Sequence, residues 1–468
     1  MNGGEEGKIM ELSLDRQPGH SGALPPGPSN RFWGLENLYH FQGARLLTLA
    51  QRLACYGDAA YCKLGPFPLY FFNHPDSVRE VLVEHADSFY KPRRQKEVIG
   101  QVIRDGTFNA DGPYWKQQRR LVQPAFHAKR IEAYADIMVN ETSALLESWD
   151  LGQTAREVDL YQEMLKVTMA IIAQALFGAE IKGQAAAISH ALKVCMDTET
   201  RQMQSLIRVP QWVPTPRHLE FGQAIKFFDQ LIYGFIHERR QSQEDRGDLL
   251  SMLLLAADEA HTMSDNEVRD EALTLFSAGH ETTANTLAWT WLLLSQHPEV
   301  ERKLAEEVRR VLGQRSPGLA DLSKLPYVEM VIKEALRLHP PAYALVRETI
   351  QEVTIGGYRI PVGNIVMVSQ HVLHRDPRFF EQPDKFMPER FAADTPNPFP
   401  RYAYFPFGAG PRICTGQALA MMEAQIILTM IVQHCSVRVD LDQDVRPNVV
   451  LLQRPGHGLR ATIAARPI

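Results

Sequence analysis

The sequence predicts a mainly α-helical protein with small β-sheets near both ends of the chain. From about residue 117 to 314 nearly every segment spaces its apolar residues at helical intervals, with breaks at prolines. After Pro340 the pattern changes to short strands and turns, as in residues 353–368, where glycines recur. Near the start, residues 43–84 predict a helix followed by a pair of strands.

The longest predicted helix can be bounded from its end signals. Ser264 followed by Glu267 forms a capping box, and Pro298 would open the next helix. The interval of about 32 residues gives a helix of roughly 48 Å, which is long enough to cross a whole domain. Its most apolar run, residues 284–294, is far shorter than the roughly 20 residues that span a bilayer. We therefore expect this helix to run through the protein core.

Composition indicates one large globular domain. Of the 468 residues, 45% are hydrophobic and 22% charged, and the net charge of −5 excludes a general attraction to nucleic acid. No repeat or low-complexity linker separates two folding units. We expect a flexible tail over residues 1–28 and a single domain over residues 29–468. The tail lacks a signal peptide or membrane anchor, which favours a cytoplasmic location.

The cysteine distribution excludes several metal-site classes. Five cysteines stand without the close pairing that zinc and iron–sulfur sites use, and a disulfide framework is improbable. Four of them are interpreted as small buried hydrophobes: Cys55, Cys62, Cys195 and Cys435.

The fifth cysteine lies in a distinctive segment, FPFGAGPRICTG, at residues 405–416. Gly408, Gly410 and Gly416 surround Cys414, and glycine lets a backbone turn tightly and approach a flat ligand. The following segment has helical periodicity, so the sulfur would lie just before a helix N-terminus, where amides and the helix dipole favour a thiolate. The pattern favours a ligand thiolate over a buried structural thiol.

A second polar motif, AGHETT, interrupts the apolar text of the long helix. Glu281 and Thr282 lie between apolar stretches, and a buried carboxyl group is costly unless it is paired or neutralised. An exposed helix face is the alternative. Two further pairs, Glu334 with Arg337 and Trp115 with Arg119, each share a helical face, and alone they are weak evidence.

Together these motifs resemble the cytochrome P450 family. Residues Phe407, Gly408, Gly410, Arg412, Cys414 and Gly416 match its haem-binding signature at every fixed position. The resemblance implies the cytochrome P450 fold, with a long central helix over a buried haem b, and covers about residues 32–466. It also implies a haem-thiolate monooxygenase that uses O2. A thiolate ligand pushes electron density to iron and favours O–O cleavage.

Site residues follow from the same resemblance. Cys414 would be the haem ligand, with Phe407 and Gly408 against the macrocycle, while Glu281 and Thr282 would relay protons. Other residues would surround the haem or its propionates: Arg412, Trp115, Arg119, Arg347, Ala278 and Gly279. Glu334, Arg337 and Arg390 would form a structural network that supports the ligand loop.

The resemblance also implies an apolar substrate pocket and separate electron carriers. Its lining would include Val98, Ile99, Val102, Phe108, Leu275, Phe276, Ala342, Tyr343, Ala344, Leu345, Leu451 and Leu452. We expect a fatty acid or similar lipid, with a terpenoid, steroid or macrolide intermediate as the alternative. A haem protein that senses ligands without turnover is an alternative of another class. Electrons are expected from NAD(P)H through a separate ferredoxin or flavodoxin with its reductase, docked at Lys116, Arg119 and Arg120.

Overall fold

The computed structural model describes residues 23–30, 34, 36–37, 45–126, 128–152, 154–178, 182–205, 209–242, 244–256, 261–395, 399–449 and 451–466. The larger helices are α1 (Arg45–Ala54), α2 (Pro75–Arg79), α3 (Arg93–Ile103), α4 (Gly112–Val122), α5 (Ala128–Ser148), α6 (Leu160–Phe177), α7 (Ala185–Gln204), α8 (Pro216–Ser242), α9 (Leu249–Leu255), α10 (Asp265–Gln296), α11 (Pro298–Leu312), α12 (Leu319–Leu322), α13 (Pro326–Leu338), α14 (Gln370–Leu373) and α15 (Gln417–His434). The strands are β1 (Ala59–Leu64), β2 (Phe67–Phe72), β3 (Phe89–Tyr90), β4 (Arg156–Asp159), β5 (Leu345–Thr349), β6 (Val353–Ile355), β7 (Tyr358–Ile360), β8 (Ile365–Val368), β9 (Cys435–Val439), β10 (Pro447–Val449), β11 (Gln453–Pro455) and β12 (Arg460–Ala465). The predicted fold class, mainly α with small sheets, is confirmed.

The sheets join segments that are distant in the sequence. One sheet has the order β1-β2-β8-β5-β3, in which β2 and β8 are parallel and the other pairs antiparallel. A second has the order β4-β12-β9, and β6-β7 and β10-β11 are hairpins. The first sheet therefore brings β5, which carries Arg347, beside the N-terminal strands.

The central helix α10 forms the axis of the helical region. It begins after Ser264, whose capping box with Glu267 is present, and ends before Pro298, as predicted. The helix packs against α6, α8, α13 and α15, and most of its side chains after residue 267 are buried. Because the helix is enclosed, polar residues in its middle must find partners inside the protein.

The first described segment, residues 23–30, already packs against strand β1. The Pro26 carbonyl accepts a hydrogen bond from the Tyr61 N–H at 2.9 Å, and Asn30 accepts one from the Lys63 N–H at 2.7 Å. Ordered packing therefore begins a few residues before the predicted boundary at residue 28, while residues 1–22 lie outside the described residues. Within the described part of the chain, no helix combines the length and apolarity needed to cross a membrane.

A buried ion-pair network anchors the region before the Cys414 loop. Glu334 and Arg337 are both fully buried and joined by a 2.7 Å contact, and Arg390 lies 3.2 Å from Glu334. Arg337 also donates to three backbone carbonyls, those of His374, Pro383 and Lys385. A planar guanidinium suits such a fan of acceptors. These bonds tie helix α13 to the chain that leads to residues 405–416.

Candidate active site

A cavity of about 1150 Å³ separates the central helix α10 from the loop that carries Cys414. It brings together residues that are distant in the sequence. The predicted residues that line it are Cys414, Arg412, Phe407, Gly408, Trp115, Arg119, Arg347, Ala278, Glu281 and Thr282.

The Cys414 loop is built from tight turns. The Cys414 N–H donates to the Phe407 carbonyl at 3.0 Å, and Gly408 and Gly410 adopt φ values of +76° and +69°. A Cβ at Gly410 would lie 1.9 Å from the carbonyl oxygen of Leu82. Glycine is therefore required there both for the left-handed backbone and for space. Helix α15 begins at Gln417, three residues after the cysteine, as predicted.

Cys414 lines the cavity and is exposed to it, while the surrounding protein partly desolvates the sulfur. Burial raises the pKa of the thiol, while a hydrogen bond from the Gly416 N–H and the charge of Arg119 act in the opposite direction. Among the described residues, no group of three or more His, Cys, Asp or Glu side chains is placed to hold a metal ion. A single sulfur therefore suits a metal whose remaining ligands come from a prosthetic group.

A cationic cluster lies at one side of the cavity. Lys91, Arg347 and Arg412 line it together, and Asp111 is the carboxylate whose charge acts on each of them. Burial, with added repulsion from Arg347 and Arg412, holds the pKa of Lys91 well below its usual value. Burial, with added repulsion from Arg412, lowers the pKa of Arg347 to about 10. Such an excess of buried positive charge calls for anionic partners.

Trp115 and Arg119 project from helix α4 into the same region. The Arg412 guanidinium lies 4.2 Å from the centroid of the Trp115 ring, which holds both groups in place. Arg119 lines the cavity, and its charge acts on Cys414 and Glu271. Sequence reasoning found this pair but missed Lys91 and Asp111, which stand in no recognisable motif.

The residues present fit a haem. The thiol of Cys414 faces the cavity, glycines let the backbone approach closely, and the cationic cluster would neutralise two propionates. Most of the other lining side chains are apolar, as a flat hydrophobic ring requires.

Glu281 is enclosed on the opposite wall of the cavity and has two polar partners. Arg454 lies 3.6 Å from its carboxylate, and the Tyr161 hydroxyl is hydrogen-bonded to it. Burial raises the pKa of Glu281, while Arg454 and Tyr161 lower it. The next residue, Thr282, donates its hydroxyl to the Ala278 carbonyl at 2.8 Å. An acid and an alcohol thus line the cavity side by side, in an arrangement suited to proton transfer.

The two small residues of AGHETT, Ala278 and Gly279, lie in different surroundings. Ala278 lines the cavity, whereas Gly279 does not. A Cβ at Gly279 would lie 2.9 Å from the Ile172 side chain of helix α6. The prediction that both residues surround the haem is therefore corrected for Gly279, which allows close packing of two helices instead.

Ten of the twelve residues predicted to line the substrate pocket do line the cavity. They are Ile99, Val102, Phe108, Leu275, Ala342, Tyr343, Ala344, Leu345, Leu451 and Leu452. Val98 is fully buried away from it, because helix α3 turns consecutive residues to different sides.

The second exception, Phe276, packs in an aromatic cluster with Phe177, Phe228 and His280. It is almost completely buried there, so it contributes to the core and not to the lining. An apolar residue on the central helix carries no sequence signal that separates these two environments.

Several polar residues of the lining were missed by sequence reasoning. Glu271 on helix α10 accepts hydrogen bonds from the N–H and hydroxyl of Thr107, both at 2.7 Å. Glu199 on helix α7 also lines the cavity. Isolated acidic residues on helices are usually solvent-exposed, so nothing in the sequence marked these two.

Comparison with known proteins agrees with this site. The family model described as "Cytochrome P450" matches residues 25–458. "Cyclooctatin synthase" of Streptomyces melanosporofaciens is 38% identical over 399 residues, covering 84% of this chain and 86% of the relative. "Cyclooctat-9-en-7-ol 5-monooxygenase" of the same organism is 34% identical over 402 residues, 84% and 85% of the two chains. "Pentalenene oxygenase" of Streptomyces avermitilis is 31% identical over 432 residues, 90% and 93% of the two chains.

The family match and these named oxygenases bear out the enzyme class predicted from the sequence. They also bear out its requirements: haem b, O2, electrons delivered by redox partner proteins, and a hydrophobic substrate. The chain belongs to the cytochrome P450 family and is a monooxygenase.

Proposed function

We propose that this monooxygenase oxidises a cyclic terpenoid. The observation that carries the proposal is the mainly apolar lining contributed by Leu275, Ala344, Leu451 and their neighbours, which suits a hydrophobic substrate. The similarity to proteins named for cyclooctatin and pentalenene, both terpenoids, supports this substrate class over the expected fatty acid. The substrate would lie among Leu275, Ala344 and Leu451.

In the proposed reaction, one C–H bond of the terpenoid becomes C–O–H and the second oxygen atom of O2 leaves as water. Two electrons and two protons balance the reaction, and the electrons come from redox partner proteins. The bound haem supplies the oxygen-activating chemistry. Cys414 would serve as its thiolate ligand, and Arg412, Arg347, Lys91, Trp115 and Arg119 would bind its propionates.

The protein moves protons along the wall of helix α10. Glu281, held by Arg454 and Tyr161, passes protons to Thr282, whose hydroxyl faces the cavity. Burial raises the pKa of Glu281, which favours the protonated form of the acid. These two groups would therefore give protons a path from the protein interior to the cavity.

A ferredoxin or flavodoxin is the proposed electron donor, but its docking patch is smaller than expected. Arg119 lines the interior cavity, so it is removed from the patch. Lys116 is exposed and pairs with Asp87 at 3.0 Å, and Arg120 is exposed on the same helix. Reversing the charge of Lys116 and Arg120 should slow transfer of the first electron, while Arg309→Glu on helix α11 should not. Equal rates in both variants would contradict this docking site.

The substrate proposal is tested by ligand-induced spectral shifts and product analysis. A library of cyclic terpenoids and fatty acids is titrated into the haem-loaded protein, and turnover products are identified with a reconstituted redox system. We expect type I shifts and hydroxylated products from terpenoids. Leu451→Phe, which fills the cavity, should weaken their binding by about 10-fold, whereas Leu255→Phe at an exposed position should not. Turnover restricted to fatty acids would refute the proposal.

A further inference from the structure

Helix α7 presents one acidic residue to the cavity on an otherwise uncharged face. Its lining residues recur at helical spacing and are Leu192, Cys195, Met196, Glu199, Thr200, Met203 and Gln204. Glu199 thus stands among apolar and neutral side chains, on a different helix from Glu281 and Thr282.

The carboxyl groups of the lining differ in their partners, and one of them, Glu348, accepts a hydrogen bond from the Arg93 N–H at 2.7 Å. Glu281 has Arg454 and Tyr161, and one oxygen of Glu271 accepts two hydrogen bonds from Thr107. Within the described part of the chain, by contrast, no hydrogen bond or ion pair reaches Glu199. Glu199 is half-buried and open to the cavity, so a ligand that displaces water there would leave its carboxyl group without a partner unless the ligand supplies one.

Glu199 is also in a state suited to a neutral polar ligand. Burial, followed by the negative charge of Glu281, raises the pKa of Glu199 to about 8. The carboxyl group is therefore protonated near neutral pH and can both donate to and accept from an alcohol. A carboxylate ligand cannot donate a hydrogen bond to Glu199, so it lacks one of the two bonds that an alcohol forms. Among the described residues no cation is paired with Glu199 that would bind the negative charge of such a ligand.

From this placement we infer that Glu199 is a specificity-determining residue that binds a hydroxyl group of the substrate. The inference rests on the proposed function and narrows it to a terpenoid that already carries an alcohol. The bond between Glu199 and the hydroxyl would fix which carbon faces Cys414, because a few polar groups orient a ligand in an apolar pocket. An earlier oxygen-introducing reaction must then supply the substrate.

Matched pairs of probes test this inference with the haem-loaded protein. Kaurenol is compared with kaurene and cedrol with cedrane, since each pair differs by one hydroxyl group. The dissociation constants are measured from type I shifts for the wild type, Glu199→Gln, Glu199→Leu and a control, Glu132→Leu, at an exposed position of helix α5. The carbon-monoxide difference spectrum and thermal unfolding verify that each variant is folded.

We expect the wild type and the control to bind at least one alcohol about 10-fold or more tightly than its hydrocarbon. Glu199→Leu should abolish this preference by weakening alcohol binding alone, and Glu199→Gln, which can still form hydrogen bonds, should retain part of it. Glu199→Leu should also broaden the set of hydroxylated products formed from the alcohol. A merely structural role would lower stability without changing the product ratio.

The negative outcomes have different meanings. If alcohols and hydrocarbons bind equally in all four proteins, the terpenoid proposal stands and the assignment of Glu199 is overturned. If no terpenoid in the broader library gives a shift or a product while fatty acids do, the proposed function itself fails. Unchanged product ratios in Glu199→Leu, with the alcohol preference intact, would also overturn the assignment.

Discussion

Replacing Gly410 with alanine should disrupt the Cys414 loop far more than a comparable substitution elsewhere. Gly410 has a φ of +69°, and an added Cβ would lie 1.9 Å from the Leu82 carbonyl oxygen. A normal contact requires the two backbones to move apart by about 1 Å. The left-handed conformation costs about 1–2 kcal/mol, and the forced shift adds about 1–3 kcal/mol.

Gly247 provides the matched control for this prediction. Its φ is +75°, and a Cβ there would meet no atom within 4 Å. Gly247→Ala should therefore carry the backbone cost alone, about 1–2 kcal/mol. Thermal unfolding measures the stability of both variants, and the reduced carbon-monoxide spectrum measures the fraction with an intact thiolate ligand.

Gly410→Ala should lose stability by about 2–5 kcal/mol in total and should lose much of the thiolate signal. Gly247→Ala should keep that signal. If the two variants show equal stability and equal thiolate content, the loop does not depend on close approach to Leu82, and the reasoning is refuted.

Three further predictions concern buried carboxyl groups. Glu281→Gln should slow product formation by about 100-fold or more with unchanged haem content; equal turnover would exclude a proton-relay role. Glu334→Gln leaves Arg337 without its buried anion and should cost about 3–5 kcal/mol, measured by unfolding against Glu329→Gln, an exposed change on the same helix. Burial raises the pKa of Glu423 to about 8. The folded protein therefore holds the proton of Glu423 more tightly than the unfolded chain does. The resulting stabilisation is fully present below the ordinary pKa of 4.5 and is lost as the pH rises toward about 8, by up to a few kcal/mol. Glu423→Gln should flatten that loss between pH 5 and 9, and an unchanged pH profile would show that Glu423 does not titrate there.

Local sequence patterns were sufficient for the fold class and for the ligand loop. Helical spacing, the Ser264 capping box and Pro298 set the ends of the central helix, because end signals act over a few residues. The glycines around Cys414 required tight turns, and the structure shows positive φ at Gly408 and Gly410. Since cysteine, glycines and the following helix are neighbours in the chain, their geometry was already contained in the sequence.

Tertiary structure decided which residues share the cavity. Lys91 and Glu199 lie in unrelated segments, and only the packing of the chain brings both to the cavity. The same packing places Asp111, before helix α4, where its charge acts on Lys91. Their importance depends on burial and on the charges that face them, which one-dimensional patterns do not contain.

Tertiary structure also decided the direction in which individual side chains point. Gly279 contacts Ile172 and Phe276 lies in an aromatic cluster, whereas Ala278 and Leu275 face the cavity. Consecutive helical residues point about 100° apart, so a motif locates the helix without stating which neighbour each residue meets. The sequence alone determined that Cys414 stands on a glycine-rich loop before a helix. The fold determined what surrounds its sulfur, because burial and charge arise from segments far apart in the chain.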